Sequence, residues 1–284
     1  MGEGWDGGHL HAIREGMVTT PYHAQGSRTC ALTPPTPSPT TGAVAALRDV
    51  TFAWNRQAPP VLHIRQLDIA PRERVFLRGP SGSGKTTLLN LLAGVVLPQR
   101  GSVSVLGTDF GSLGGAARDR FRADHVGFVF QLFNLIPYLT VVENVVLPCL
   151  FSKRRRERAI ATSGSVDADA LRLLQHLDMA DPAVLARPAT DLSAGQQQRV
   201  AAARALVGAP ELVIADEATS ALDADRRAAF LDLLFRECAA AGAAIVFVSH
   251  DASAAHAFDR TIELGSSSLP PAGARQHLGA ARRR

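Results

Sequence analysis

The chain has 284 residues, of which 46% are apolar and 20% charged, with a formal net charge of +4. This is the make-up of a globular protein large enough to bury a sizeable core. No uninterrupted apolar run approaches the eighteen or so residues that a bilayer span needs, and Met1 to Gly8 is glycine-rich and acidic rather than leader-like, so the expected location is the cytoplasm. Cys30, Cys149 and Cys238 are too scattered, and odd in number, for a disulfide framework or a zinc site.

Residues 1 to about 42 are dominated by Gly, His, Thr, Ser and Pro and end in Thr33-Pro34-Pro35-Thr36-Pro37-Ser38-Pro39. Such a segment cannot bury enough apolar surface to offset its ordering entropy and reads as a disordered extension. His9, His11 and His23 within it lack the partner ligands of a metal tract. From Ala43 the texture changes. Val44 to Trp54, Val61 to Ile69 and Arg74 to Leu77 are short, turn-bounded and partly alternating, and read as antiparallel strands; Gly101 to Gly107 resembles another. Val126 to Phe130 reads as a buried strand ending at Gln131. Between about 137 and 190 the pattern becomes helical and charged, with Leu171, Leu174 and Leu177 on roughly one face. Helices are predicted over about 194–207 and 224–241, the second with Phe230, Leu233, Leu234 and Ala241 on one face. The uninterrupted apolar strands Leu212–Ala215 and Ala244–Val248 alternate with these helices. Strands apolar on both faces, separated by amphipathic helices, predict a parallel sheet covered on both sides. Residues 266–284 read as a flexible basic tail. Lys153-Arg154-Arg155-Arg156 and Arg282-Arg283-Arg284 read as solvated runs, the sharper alternative being contact with anionic lipid or RNA.

The chemistry begins at Gly79-Pro80-Ser81-Gly82-Ser83-Gly84-Lys85-Thr86-Thr87, which fits Gly-x-x-x-x-Gly-Lys-[Ser/Thr] between a strand-like and a helix-like run. Glycines let successive backbone N–H groups curl round an anion, and the helix behind them adds about half a positive charge at its N-terminus. Lys85 is placed to reach phosphate oxygens and the Thr86 hydroxyl to ligate Mg²⁺. A nucleoside triphosphate carries about four negative charges, more than one lysine and a helix end neutralise, so a divalent ion is expected beside it. In parallel sheets ligands gather at the carboxyl ends of strands, which singles out Gln131, Asp216-Glu217 and Ser249-His250. Asp216 is suited to holding Mg²⁺ and Glu217 to polarising a water. Leu192-Ser193-Ala194-Gly195-Gln196 opens a helix, with Ser193 as its cap, and offers a second anion site. Two such sites in one chain suggest two chains sharing two nucleotides.

Taken in order, Gly79 to Thr87, Gln131, Leu192 to Gln196, Leu212 to Glu217, Ser220-Ala221-Leu222-Asp223 and His250 resemble the ATP-binding subunit of an ABC transporter over about residues 43–265. The resemblance implies an α/β P-loop NTPase of ABC type, with a mostly parallel core sheet, an antiparallel β subdomain and a helical subdomain at about 137–190. It implies ATP and Mg²⁺ as cofactors, with Gly79, Pro80, Ser81, Gly82, Ser83, Gly84, Lys85, Thr86 and Thr87 round the phosphates and Trp54, in preference to Phe52, against adenine. Thr86, Gln131 and Asp216 would serve the metal, Glu217 would be the general base and His250 the γ-phosphate switch. Ser193, Gly195 and Gln196 would contact the ATP of a second copy, and Asp223 would cross the seam. Val126 to Pro137, with Leu139-Thr140-Val141-Val142-Glu143-Asn144-Val145 and Leu147-Pro148, resembles more narrowly the lipoprotein-release and macrolide-export group. The implied partners are a sister copy and a transmembrane permease, without nucleic acid, on the cytoplasmic face of the inner membrane. The other reading is a cell-division type of complex that signals across the membrane without transport. Ala194, where the family carries glycine, and Ala218, where proline commonly follows the glutamate, depart from the pattern.

Overall fold

The computed structural model describes residues 42–55, 57–219 and 222–265. Residues 1–41 of the proposed extension, with Cys30 and the three histidines near the start, the tail with Arg282 to Arg284, and Ser220 and Ala221 lie outside the described residues. Strands β1 (Ala45–Phe52), β2 (Leu62–Ile69), β4 (Arg100–Val105) and β5 (Thr108–Asp109) form an antiparallel sheet in the order β2-β1-β4-β5. Strands β3 (Arg74–Arg78), β6 (Val126–Val129), β7 (Leu212–Asp216), β8 (Ala244–Val248) and β9 (Arg260–Glu263) form a second sheet, ordered β6-β7-β8-β3-β9, in which every pairing is parallel. The Arg74–Leu77 run is therefore not part of the antiparallel set. It lies between β8 and β9 in the core sheet, buried at Val75, Phe76 and Leu77.

Period-two alternation sends the side chains of the core sheet to two separate cores. Val75, Leu77, Leu212, Ile214, Val246 and Val248 join the antiparallel sheet and helix α1 (Lys85–Leu92) in one. Phe76, Val213, Ala215, Ile245 and Phe247 face the other, with helices α3 (Val141–Phe151), α7 (Ala194–Leu206) and α8 (Ala224–Ala241). Two covered faces are the reason these strands are apolar throughout.

Helix α2 (Gly115–His125) precedes β6, and α4 (Lys153–Ser163), α5 (Val166–His176) and the single turn α6 (Pro182–Leu185) follow α3. Thr140 and Glu143 form a reciprocal capping box at the start of α3, and the fully buried Asn144 side chain donates to the carbonyls of Ile136, Leu139 and Thr140. On α5 the buried face is Ala170, Leu173, Leu174 and Leu177; Leu171, expected on it, is exposed, because 171 lies about 100° off that stripe.

Lys153, Arg154 and Arg156 of the first basic run are exposed, as a solvated run should be, and Arg155 alone of the four is buried in the fold. Arg155, 2% exposed, donates to the carbonyls of Val207 and Ala205 and so caps the C-terminal end of α7. Arg154 and Arg158 each reach Glu211 at 2.8 Å, and His125 reaches it at 2.9 Å. Burial alone would raise the Glu211 pKa, but these hydrogen bonds and charges override it and hold the carboxyl at about 2. Because the folded value lies below the unfolded one, the stabilisation is complete above about pH 4.5 and disappears as pH falls toward 2. Glu211→Gln is expected to lose about 2 kcal/mol at pH 7, once solvent screening is allowed for, and to lower the melting temperature by about 5 °C. The gap between variant and parent should shrink as thermal melts are taken from pH 5 toward pH 2. A gap independent of pH would show that the cluster does not act through this carboxylate.

Candidate active site

Four polar segments meet at the carboxyl edge of the parallel sheet: Gly79 to Thr87 after β3, Gln131 after β6, Asp216-Glu217 at the end of β7 and Ser249-His250 after β8. Parallel pairing makes this meeting inevitable, since every strand ends on the same side.

The phosphate loop turns into α1 through Gly84, the N-cap, at φ 92°, where a Cβ would lie 2.7 Å from the Leu62 side chain. Glycine is required there both by the left-handed backbone and by the close approach of the antiparallel sheet. Lys85 is buried, and its Nζ donates to its own loop's carbonyls at Gly79 (2.8 Å) and Pro80 (3.0 Å). The Ser83 hydroxyl is buried without a hydrogen-bond partner, which a bound oxyanion would supply. Ser81, Gly82 and Thr86 face outward, whereas Thr87 is buried behind them.

Asp216 and Glu217 are adjacent but diverge. Asp216 keeps strand register opposite Val248, while Glu217 has a left-handed backbone, φ 48°, and donates its N–H to the Val248 carbonyl. A non-glycine residue held there costs on the order of 1 kcal/mol, offset by the surrounding structure. The turn brings Glu217 Oε1 to 2.7 Å from His250 Nε2. Burial raises the Asp216 pKa above the ordinary carboxylate range and the Glu217 charge adds to this, with Lys85 and His250 acting against it. The Asp216 carboxylate, the outward Thr86 hydroxyl and the exposed Gln131 amide offer oxygen donors of the kind a hard divalent ion such as Mg²⁺ takes.

Trp54 is 62% exposed and stands edge-on to Phe52, which is 5% exposed. Trp54 is therefore the ring of the two with a face free for stacking.

Ser193 and Gly195 do not join this edge within the chain. Ser193 caps α7 in a reciprocal box with Gln196, giving Gln196 a local role that sequence reading missed. They line a separate cavity of about 280 Å³ with Gln198, Arg199, Leu222, Arg226 and Phe230. Gln198 is 1% exposed, and neither its amide oxygen nor its nitrogen has a partner. Gly195 is conspicuous for the opposite reason: a Cβ built on it meets nothing within 4 Å. Glycine is a poorer helix former than alanine, and nothing within the chain requires it here. Ala194 and Asp223 are exposed, Asp223 capping α8 through Arg226 N–H. Arg227, also missed, donates to Leu222 O and pairs with Asp251 beside His250, joining the segment before α8 to the histidine loop.

A sequence profile described as ABC transporter matches residues 62–220, more than half of the chain. The lipoprotein-releasing system ATP-binding protein LolD of Anaeromyxobacter dehalogenans is 41% identical over 221 residues, covering 78% of this chain and 89% of that relative. The macrolide export ATP-binding/permease protein MacB of Rhodopirellula baltica is 39% identical over 205 residues, 72% of this chain but 29% of the relative. Among solved structures, a dimeric ATP-binding cassette in a post-hydrolysis state bound to ADP and Pi is similar with a TM-score of 0.67 and 34% identity, covering 79% of this chain and 96% of that one.

Proposed function

The chain belongs to the ABC transporter family as one of its ATP-binding proteins, and from that premise we propose that it hydrolyses ATP as a head-to-tail homodimer to drive a permease of the lipoprotein-release or macrolide-export kind. The single observation that carries the dimeric reading is the unexplained space at Gly195, on a helix end that offers free N–H groups yet lines no part of its own chain's phosphate loop. A second copy bringing its ATP to that end would use both the space and the positive end of the helix dipole.

In this reading the phosphates displace the loop carbonyls from Lys85, Ser83 gains its missing partner, and adenine stacks on Trp54. Thr86, Asp216 and Gln131 would hold Mg²⁺, which when bound neutralises charge on the phosphates. Glu217 accepts a proton from a water lined up with the γ phosphorus, and the His250 contact at 2.7 Å holds the carboxylate in place. Stacking on an aromatic ring is worth about 1–3 kcal/mol, so Trp54→Ala is expected to raise KM for ATP about tenfold with kcat nearly unchanged. An unaltered KM would remove Trp54 from the site.

No helix among the described residues is long and apolar enough to cross a membrane. The surface offered to a permease is a groove of about 370 Å³ next to Gln131, lined by Phe128, Phe130, Pro148 and Phe151, with Leu132 and Tyr138 among the exposed apolar side chains of the neighbouring loop. Docking there would hold the chain at the cytoplasmic face of the membrane. The names of the relatives favour export over cell-division signalling. The tagged chain, isolated from detergent-solubilised native membranes, is expected to carry a permease with it. Phe151→Asp, which places a charge in the groove, should release the permease while ATP is still bound; recovery of the parent chain without any membrane protein would refute the reading.

A further inference from the structure

The turn after Gln131 is strained, and a residue about seventy positions away holds it. Phe133 and Asn134 are both left-handed, with φ of 60° and 48°; asparagine takes this conformation readily, but a bulky phenylalanine keeps it only when its surroundings impose it. The Arg204 guanidinium donates to both of their carbonyls, from Nη1 to Asn134 O at 2.7 Å and from Nη2 to Phe133 O at 2.5 Å. One planar fork thus closes on two successive carbonyls, a geometry that lysine cannot reproduce. Burial lowers the Arg204 pKa to about 10, which leaves it charged at neutral pH.

Arg204 stands in the last turn of α7, the helix whose first turn carries Ser193 and Gly195. That end of α7 is fixed in two further ways. Arg155 caps its carbonyls, and β6, the strand leading to Gln131, presses so close at Gly127 that a Cβ there would lie 2.2 Å from Ala205 O. Strand, turn and helix end are therefore packed as one block.

We infer that Arg204 is a positioning residue for hydrolysis: by clamping the Phe133-Asn134 turn to the far end of α7, it sets where Gln131 stands and ties that loop to the helix bearing Ser193. The inference rests on the reading above, in which Gln131 serves the metal and phosphates.

The test compares the parent, Gln131→Ala, Arg204→Met and the double variant for kcat, for the Mg²⁺ concentration giving half-maximal rate, and for nucleotide binding in EDTA. Each single variant is expected to lower kcat about tenfold and raise the half-saturating Mg²⁺ several-fold, with metal-free binding changed by less than about twofold. The double variant should fall within about twofold of Gln131→Ala alone, since both changes act on one element. Arg204→Lys keeps the charge without the fork and is expected to fold as the parent does and recover part of kcat. It keeps the test decisive if Arg204→Met folds poorly. If Gln131→Ala is defective but the double variant shows the product of the two losses, or if both Arg204 variants match the parent, Arg204 does not act through Gln131 and the inference is overturned. If Gln131→Ala alone turns over at the parent rate, the role given to Gln131 fails, and the inference with it.

Discussion

Glu217→Gln is expected to lower ATP turnover by about 10²- to 10⁴-fold, the range over which a positioned general base contributes, while leaving ATP affinity within a few-fold of the parent. The amide has the shape of the carboxylate and still offers an oxygen toward His250, 2.7 Å away, so the turn imposed by the left-handed backbone at 217 should survive. What it cannot do is accept a proton from water. Unhydrolysed ATP would then remain between two copies, and the variant should elute as a dimer in ATP and Mg²⁺ and as a monomer without them. Loss of the charge also relieves Asp216, whose pKa is raised by burial and, after that, by Glu217, so the metal-binding carboxylate proposed here should ionise more readily in the variant. Hydrolysis at the parent rate would move the base elsewhere. Loss of ATP binding together with hydrolysis would instead mean that Glu217 supports the fold of the edge rather than the reaction.

How much of this was legible in the sequence depended on the range of the interaction. The phosphate loop, the apolar strands before Asp216 and Ser249, and the capped helix at Ser193 are local patterns, and local chemistry fixes them: glycine for left-handed turns, serine for a cap, unbroken apolar runs for strands covered on both faces. Sheet membership is not local. Arg74–Leu77 follows two antiparallel strands in sequence, yet its hydrogen bonds go to β8 and β9, both more than 160 residues further on. Strand β9 escaped notice because only Ile262 of its four residues is buried, and α2 because none of its eleven is, so neither carries a hydrophobic period to read. Gln198 and Arg204 lie inside helical patterns where glutamine and arginine are ordinary; their distinctive feature is what they touch, or fail to touch, across the fold.

The dimeric site makes a prediction that no single-chain mechanism shares. Gly195→Asp should fold as well as the parent, because the added side chain enters open space and a carboxylate near a helix N-terminus is favourable. Against an approaching triphosphate, the same carboxylate is both a steric and an electrostatic obstacle, and turnover should fall by at least about 100-fold. Lys85→Ala should be equally inactive, since it removes the cation from the loop. Mixed in equal amounts, the two inactive chains form heterodimers in which one pocket unites an intact Lys85 loop with an intact Gly195 helix end, while the other pocket carries both defects. Random pairing makes half the dimers mixed, each with one good site of two, so the mixture should regain about a quarter of the parent rate if the sites fire independently. If the two sites must fire together, the mixture stays inactive but should still trap ATP in one pocket per heterodimer, whereas a pocket complete within one chain would leave the unmixed Gly195→Asp protein active.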